Sequence, residues 1–225
     1  MGDVIEGNGN IIMPGFINTH CHLAMTLFRG YGENSNFTNW WLDYMRPLED
    51  KLQPKDCYYG ATLGILELLK NGVTTVADFY LHGEETAVQT CDKYYITRTS
   101  WLYGHHGKNF VETMISLKDK EELKVVDDQV GCPTWTVELA NGIVQILLEE
   151  MPYGIYQVCG SGSTSWYGFA KKIFELCGFD VNLKPCTTEE FPRPAKRPKN
   201  SIMENNKLCR NWEVALKEYL ELRCE

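Results

Sequence analysis

Val73–Glu85 reads VTTVADFYLHGEE, and the character of the sequence changes within this junction segment. Val73–Tyr80 is rich in β-branched and aromatic residues and predicts a buried strand. From Leu81 the residues favour a helix that continues to about Asp92. The motifs before the segment differ in kind from those after it. We therefore predict two domains, residues 1–80 and residues 81–225.

Composition narrows the possible functions. The chain has 225 residues, 44% of them hydrophobic, and a formal net charge of −8. Such an acidic chain argues against binding to nucleic acid or to an anionic membrane, because both require a basic surface. The nine cysteines form no Cys-x-x-Cys pair, and MGDVIEGNGN does not read as a signal peptide. We expect a cytoplasmic protein with reduced thiols.

A His-x-His pair stands at the end of the first predicted strand. Pro14-Gly15 marks a turn, and the strand that follows runs through Phe16 towards His20 and His22. Side chains two residues apart share one face of a strand, so the two imidazoles could bind one divalent metal, zinc or iron. The alternative is two unrelated histidines near a strand end.

A helix and a second strand follow this pair. Pro54 suits a first helical turn, and Asn71-Gly72 is a good stop. The helix between them carries a broad apolar stripe. The stripe consists of Leu63, Ile65, Leu66 and Leu69. Strand, helix and strand in this order predict the start of a parallel α/β barrel.

The segment MPGFINTHCHLAMTLFRGYG, residues 13–32, resembles the opening of amidohydrolase-superfamily deaminases and chlorohydrolases. The resemblance covers about residues 5–80. It implies the first strand-helix-strand of an amidohydrolase (β/α) barrel, with His20 and His22 as ligands of the catalytic metal. The family completes its site with further histidines and an aspartate from later strands. None of His82, His105 and His106 stands in such a context, so we expect an incomplete site.

The chain beyond the junction segment alternates helices and strands, which predicts an α/β fold. The predicted helices are 109–117, 137–150, 166–177 and 213–222, and the predicted strands are 94–104, 123–126, 154–158 and 181–185. Residues 131–134 read as a turn. The helix 137–150 carries an apolar stripe, the face that we expect to be buried. This stripe consists of Val137, Ala140, Ile143, Val144, Leu147 and Leu148.

Several colinear blocks in this half resemble the C-terminal part of dTDP-4-dehydrorhamnose reductases, which are extended short-chain dehydrogenases. The blocks are RTSWLYG (98–104), KNFVETM (108–114), LKVVDDQVGCPTWT (123–136), YGIYQV (153–158), SWYGFAKKIF (165–174) and TTEEFPRPAKRPKNS (187–201). The resemblance implies a partial Rossmann-type, substrate-binding portion. It also implies NADPH or NADH as cofactor and a dTDP-sugar as substrate.

The same resemblance implies roles for individual residues. Trp101 and Tyr103 would lie beside the sugar, and Asn109 would lie near the phosphates. Gln129 and Thr134 would shape the pocket, and Arg193 would approach the nucleotide end. The alternatives are that Trp101 and Tyr103 are core residues and that the proline-rich stretch around Arg193 is a solvated loop.

The parts that this family uses for chemistry belong to its N-terminal half. These parts are a glycine-rich dinucleotide loop and a Tyr-x-x-x-Lys pair just before the helix that matches 81–88. The pair does not stand at that position, and we expect the chain to lack it. Gly160–Ser165 imitates the loop, but we interpret Ser163 or Ser165 as a helix cap.

These observations leave three hypotheses. The first is a catalytically impaired reductase that another chain could complement, and its protein partners would be this complementing chain or further copies of itself in a homo-oligomer. The second is a metal-dependent hydrolase fragment. The third is a non-catalytic nucleotide-sugar-binding protein or an inert fusion.

Overall fold

A computed structural model of the chain describes residues 6–192 and 197–223. The chain divides into two compact units, Met1–Ile96 and Thr97–Glu225. Helix α4 (Gly83–Thr90) packs against helix α3 (Pro54–Lys70), so the stretch after residue 80 joins unit 1 rather than unit 2. The boundary between the two compact units therefore lies between residues 96 and 97. The predicted domain boundary between residues 80 and 81 marks a change of family resemblance, and it stays a prediction.

Unit 1 is built on a parallel strand-helix-strand. Strand β1 (Phe16–Cys21) pairs with β2 (Val73–Asp78), and α3 connects them, as the sequence predicted. Short helical segments fill the connection between β1 and α3. They are a 3-10 helix (Leu23–Phe28), α1 (Phe37–Asn39), a π-helix (Trp40–Met45) and α2 (Arg46–Glu49). Both strands are largely exposed along their length, so the Val73–Tyr80 segment forms the predicted strand, but the prediction that this strand is buried is wrong.

Helix α3 confirms its predicted bounds but not its predicted buried face. It begins at Pro54, and the N–H of Gln53 donates to the Asp56 carboxylate at 3.0 Å. The face that packs inward consists of small residues, Cys57, Gly60, Ala61 and Gly64. A Cβ at Gly60 would lie 2.6 Å from the Ala24 carbonyl oxygen, so this face lets the 3-10 helix approach the α3 backbone. Leu63, Leu66 and Leu69 of the predicted stripe are about half exposed as a result.

In the described part of unit 2, four helices pack together with short strands. The helices are α5 (Phe110–Ser116), α6 (Thr136–Leu148), α7 (Trp166–Cys177) and α8 (Trp212–Arg223). The strands after β3 (Tyr95–Arg98) are β4 (Leu102–Tyr103), β5 (Leu123–Val126), β6 (Val130–Gly131), β7 (Thr134–Trp135), β8 (Gly154–Gln157), β9 (Thr164–Ser165), β10 (Leu183–Cys186) and β11 (Asn200–Ser201). The order confirms the predicted α/β alternation.

Most strand pairs in unit 2 are parallel. β5 pairs with β10, β4 with β7, and β6 with β11, each in parallel, whereas β9 runs antiparallel to β6. Residues 131–134, predicted as a turn, connect β6 to β7, so that Cys132 and Pro133 lie between two short strands. The core lies between α5, α7 and α8, with Tyr103, Phe169 and Tyr219 at its centre.

Helix α6 buries a different face from the one that its hydrophobic pattern predicts. Val144, Leu147 and Leu148 are 50%, 55% and 79% exposed, whereas Gly142 and Ile146 are buried. A Cβ at Gly142 would lie 2.6 Å from a methyl of Val158, so the helix lies close against the segment after β8. The prediction of a buried Val137–Leu148 stripe is wrong for this structure. In the part of the chain that is described, no helix is both long and apolar enough to span a bilayer.

Candidate functional site

Two tryptophans of unit 2 stack face to face. The rings of Trp101 and Trp166 are parallel within 6°, with their centroids 3.6 Å apart, and the Phe110 ring lies 4.6 Å from that of Trp166. Both indoles are half-buried. Trp101 has φ +49, a left-handed conformation that is costly for a large side chain. A Cβ at Gly131 would lie 2.4 Å from the Trp101 indole, so only glycine leaves room for the ring there.

Polar side chains fix the orientation of both indoles. Trp166 Nε1 donates to Gln129 Oε1 at 3.3 Å, and the Gln129 amide in turn donates to Thr188 Oγ1 at 2.9 Å. Trp101 Nε1 donates to Ser201 Oγ at 3.1 Å, and that hydroxyl donates to the Val130 carbonyl at 3.0 Å. Since each indole N–H already has a protein acceptor, the pair offers ring faces and edges rather than donors to a ligand.

Thr134 supports this arrangement from behind. Its side chain is fully buried, and Oγ1 donates to the Cys132 carbonyl and accepts from the Gly160 N–H. Its backbone N–H donates to the Trp101 carbonyl at 3.2 Å. The structure therefore brings Trp101, Gln129 and Thr134 into one region, as the predicted pocket requires. Their contacts with a substrate stay predictions.

Tyr103 and Asn109 are engaged elsewhere. Tyr103 is 1% exposed and packs on Phe169 and Tyr219. Burial, and next the charge of Glu138, raise the pKa of its phenol well above the ordinary value. Asn109 caps α5: its Oδ1 accepts from Glu112 N at 3.1 Å, and its Nδ2 donates to the Gly104 carbonyl at 2.7 Å. Arg193 lies outside the described residues.

Sequence reasoning missed Trp166, Phe110 and Ser201 as neighbours of Trp101. The sequence signal that could have located Trp166 is the predicted helix cap before it. Ser165 Oγ accepts from Gly168 N at 3.0 Å, which confirms Ser165 as the N-cap of α7. The cap fixes Trp166 as the first residue of that helix. Only tertiary packing then places it against Trp101, 65 positions earlier by subtraction of the residue numbers.

The expectation that the chain lacks Tyr-x-x-x-Lys is wrong, because Tyr167 and Lys171 have this spacing. Both residues lie in α7, where Tyr167 packs against the hydrophobic core and Lys171 is exposed. The pair stands after Trp166 rather than before the 81–88 helix, where the resemblance would place the reductase pair. The spacing alone therefore assigns it no catalytic role.

The Gly160–Ser165 turn is packed against protein rather than open to a ligand. A Cβ at Gly160 would lie 2.2 Å from the Pro133 carbonyl oxygen, and one at Gly162 would lie 3.1 Å from the Trp212 ring. The Ser161 N–H donates to the Arg210 carbonyl at 2.9 Å. These contacts occupy the space and a backbone donor that a pyrophosphate would need, so the turn does not fit a dinucleotide.

The His-x-His pair of unit 1 lies where the sequence placed it, at the end of β1. The rings of His20 and His22 have centroids 5.0 Å apart. His22 Nδ1 lies 2.6 Å from the Phe79 carbonyl oxygen, an outer contact of the kind that orients metal-binding imidazoles. His22 also lines a surface depression of about 250 Å³ with Asn18 and Thr26.

The nearby acid and thiol are already engaged. Asp78 Oδ1 accepts from the Leu23 N–H at 2.9 Å, and burial raises the pKa of this carboxyl. Burial, and next Asp78, raise the pKa of the Cys21 thiol to about 11. Among residues 6–192 and 197–223, no group of three His, Cys, Asp or Glu side chains is placed to hold a metal ion. The described donor set does not fit a catalytic metal, which needs at least three protein ligands.

The parallel pairs and the α/β alternation of unit 2 define the class of the protein: an α/β protein with the Rossmann-like fold of extended short-chain dehydrogenases. The RmlD substrate binding domain family matches residues 74–222, and this match begins inside the junction segment. The chain belongs to the RmlD substrate binding domain family.

Individual proteins are similar over the same part. The spore coat polysaccharide biosynthesis protein SpsK of Bacillus subtilis is 43% identical over 148 residues, which is 63% of this chain and 52% of that protein. A dTDP-4-dehydrorhamnose reductase from Bacillus anthracis, solved in complex with NADP, is 39% identical with a TM-score of 0.57 and covers 66% of this chain and 58% of its own. The chain thus spans about half the length of the curated relatives it matches.

Two further similarities bear on unit 1. A dTDP-4-dehydrorhamnose reductase structure from Clostridium acetobutylicum is 29% identical, covers 93% of this chain and 99% of its own, and has a TM-score of 0.66. The 5'-deoxyadenosine deaminase of Methanosphaera stadtmanae is 37% identical over 151 residues, 67% of this chain and 33% of that protein. A parallel strand-helix-strand begins both a barrel and a Rossmann sheet, so the geometry of β1, α3 and β2 fits either.

Proposed function

We propose that this chain carries the substrate-binding part of a dTDP-4-dehydrorhamnose-reductase-type protein and binds a dTDP-sugar at the Trp101–Trp166 stack. Membership of the RmlD substrate binding domain family supports the substrate class. The main support for placing the dTDP-sugar there is the stack itself. It consists of two half-buried parallel indoles, which hydrogen bonds to Gln129 and Ser201 hold in orientation. Unit 2 thus presents an oriented aromatic surface to solvent.

The physical basis is stacking on a rigid surface. A thymine ring or the apolar face of a sugar packs on an indole, and such contacts contribute roughly 1–3 kcal/mol each. Because the indole N–H groups are already bonded, the rings lose little freedom when a ligand binds. The left-handed Trp101 backbone and the glycine at 131 hold the surface in place.

In the complete reductase that we propose, a bound NAD(P)H would supply hydride for the reduction of the 4-keto group of dTDP-4-dehydrorhamnose. The role of the residues in unit 2 is to bind and orient the sugar nucleotide. The Gly160–Ser165 turn does not fit the dinucleotide, and Tyr167 packs on the core. We therefore propose that this chain alone binds the substrate and reduces it slowly or not at all, unless another chain supplies the cofactor-binding part.

Calorimetric titration of the purified chain with dTDP-glucose, and with UDP-glucose for comparison, tests the binding proposal. We expect Trp166→Ala to weaken dTDP-glucose binding roughly 5- to 150-fold, the equivalent of about 1–3 kcal/mol. Trp40→Ala, in the π-helix of unit 1, is the matched control and should leave the affinity unchanged. A folded wild-type chain that binds neither sugar nucleotide would refute the proposal.

We propose as the second candidate that unit 1 is an inactive fragment of a hydrolase, which keeps the His20–His22 pair but not, among its described residues, the three ligands that a catalytic metal needs; the pair and the similarity to the 5'-deoxyadenosine deaminase support this candidate. This candidate predicts that added zinc binds in a one-to-one ratio and that His20→Ala abolishes the binding. His82→Ala, which changes a histidine of the same unit outside the pair, is the control. Zinc binding that persists in His20→Ala, or no binding by the wild type, would rule this candidate out.

A further inference from the structure

Two buried thiols of unit 2 contact the same backbone carbonyl group. Cys132 lies between β6 and β7 and is 1% exposed, whereas Cys159 follows β8 and is fully buried. Both are free cysteines. Neither takes part in the substrate site described above, although Cys132 directly follows Gly131, the residue that leaves room for the Trp101 ring.

The two sulfur atoms converge on one point of the backbone. Cys132 Sγ lies 3.6 Å and Cys159 Sγ lies 3.8 Å from the Met203 carbonyl oxygen. The Met203 N–H donates to Cys132 Sγ at 3.5 Å. Two sulfur atoms that contact the same carbonyl oxygen lie in one small region, from which side-chain rotation can bring them together.

The backbones that carry the two cysteines are also in direct contact. The Gly160 N–H donates to Thr134 Oγ1 at 3.1 Å, and a Cβ at position 160 would lie 2.2 Å from the Pro133 carbonyl oxygen. Disulfide formation requires Cα atoms roughly 4.4–6.8 Å apart, so the segments that carry the two cysteines must lie side by side, and these contacts place them so. We expect a bond between the two sulfurs to require only local movement of these segments.

The two thiols differ in the direction of their pKa shifts. The adjacent Cys159 thiol lowers the pKa of the Cys132 thiol, although burial acts in the opposite direction. The Cys132 thiol, and next burial, raise the pKa of Cys159. Burial raises the pKa of the neighbouring Cys209 to about 11 and also raises that of Cys186. Since the thiolate is the nucleophile, Cys132 is the attacking sulfur and Cys159 the resolving one.

We propose that Cys132 and Cys159 form a peroxide-sensitive dithiol site that closes to a disulfide. The Cys132 thiolate attacks one oxygen of hydrogen peroxide and the O–O bond breaks, which gives the Cys132 sulfenic acid and hydroxide, and the hydroxide takes up a proton to become water. The Cys159 sulfur then attacks the Cys132 sulfur, the S–O bond breaks, and water leaves with the Cys159 proton. In total, two thiols are oxidised and one peroxide is reduced to two waters.

The disulfide would act on the neighbouring stack. Forming it removes both thiols from the Met203 carbonyl and ties the β6–β7 connection to the segment after β8. Gly131, which leaves room for Trp101, is the residue just before that connection, and Gln129, which holds Trp166, directly precedes β6. Oxidation therefore changes the environment of the two indoles. This inference concerns the two thiols of unit 2. It does not depend on which ligand the stacked tryptophans bind.

The experiment uses the reduced full chain. Hydrogen peroxide is added, free thiols are alkylated, and the digest is analysed by mass spectrometry. We expect a peptide cross-linked between Cys132 and Cys159 that lacks two hydrogen atoms relative to the dithiol. We expect their thiols to be lost roughly tenfold faster than that of Cys186. Tryptophan fluorescence should change with the same time course and recover on reduction.

Serine variants separate the pair from its surroundings. Cys132→Ser and Cys159→Ser should each abolish the cross-link, whereas Cys186→Ser, at a buried thiol of the same unit, should retain it. If Cys132→Ser does not fold, the cross-linked peptide of the wild type and its time course still decide the matter. The proposal is overturned if the native wild type forms no 132–159 bond, or if Cys132 passes to sulfinic acid while Cys159 stays reduced.

Discussion

The ion pair between Glu138 and Arg210 allows a quantitative test of how unit 2 is held together. Glu138 lies in α6 and is 4% exposed. Its Oε1 accepts from Arg210 Nε at 2.8 Å and Nη2 at 2.5 Å, and its Oε2 accepts from the Arg210 backbone N–H at 3.0 Å. The bonds join α6 to the segment just before α8 in a geometry that only a carboxylate satisfies fully.

Replacing Glu138 with Gln keeps the volume but removes the charge and turns an amide N–H₂ towards guanidinium donors. Hydrogen bonds to charged groups contribute roughly 1.5–3 kcal/mol each and neutral ones roughly 0.5–1.5 kcal/mol. A broken, fully buried pair costs about 3–5 kcal/mol, but the Arg210 side chain is 48% exposed and can be rehydrated. We therefore expect Glu138→Gln to lower the free energy of unfolding of unit 2 by about 2 kcal/mol.

Thermal unfolding and hydrogen exchange in α8 measure this loss. For a unit of this size, about 2 kcal/mol corresponds to a Tm lower by roughly 6–10 °C. Glu218→Gln is the matched control, because Glu218 accepts from Arg210 Nη1 at 2.7 Å but is 43% exposed. The control should cost less than about 1 kcal/mol. Equal effects of the two variants would refute the reasoning.

The same pair predicts a pH dependence. Burial raises the pKa of Glu138, but the hydrogen bonds from Arg210 outweigh it, and the pKa lies below the ordinary 4.5. A depressed pKa stabilises the folded chain fully above the pKa of the unfolded state, about 4.3, and this stability is lost as the pH falls through the folded value. The wild type should therefore be more stable than Glu138→Gln at pH 7 and lose this advantage below about pH 4. A difference in stability that does not change with pH would contradict the assignment.

Three further changes test local features of unit 2. Gly160→Ala should destabilise it by roughly 1–3 kcal/mol in urea unfolding, because the new Cβ would lie 2.2 Å from the Pro133 carbonyl oxygen; a cost near zero would show that the two backbones separate easily. Ser165→Ala should lower the free energy of unfolding by about 1 kcal/mol and speed hydrogen exchange in the first turn of α7. Unchanged exchange would show that the Ser165 cap does not stabilise this turn. Ile146→Ala should cost roughly 2–5 kcal/mol in thermal unfolding, while Leu148→Lys, at a position 79% exposed, should stay within about 0.5 kcal/mol; the reverse order would restore the predicted α6 stripe.

The local elements of this chain were predictable from the sequence. Proline and glycine at the two ends of α3 predicted its bounds, and the Ser165 cap predicted the start of α7, because caps and stops act over only a few residues. The β-branched run 73–80 predicted strand β2, and the period of the apolar pattern distinguished helices from strands. Colinear blocks beyond the junction segment identified the family that residues 74–222 match.

The faces that these elements bury depended on tertiary contacts. In α3 and α6 the pattern favoured the leucine stripes, but small residues such as Gly60 and Gly142 let neighbouring segments approach the backbone, and close approach decided the packing. Glu138 is buried because Arg210, far along the chain, supplies its charge partner. Such pairings join residues whose separation in sequence carries no periodic signal.

The candidate site divides in the same way. The sequence by itself identified Trp101, Gln129 and Thr134 through a family resemblance, and it placed His20 and His22 on one strand through their spacing. Tertiary structure alone placed Trp166 at 3.6 Å from Trp101, buried Tyr103 in the core and brought Cys132 to Cys159. The reason is physical: spacing along the chain fixes neighbours within one element, whereas contacts between elements depend on how their surfaces fit.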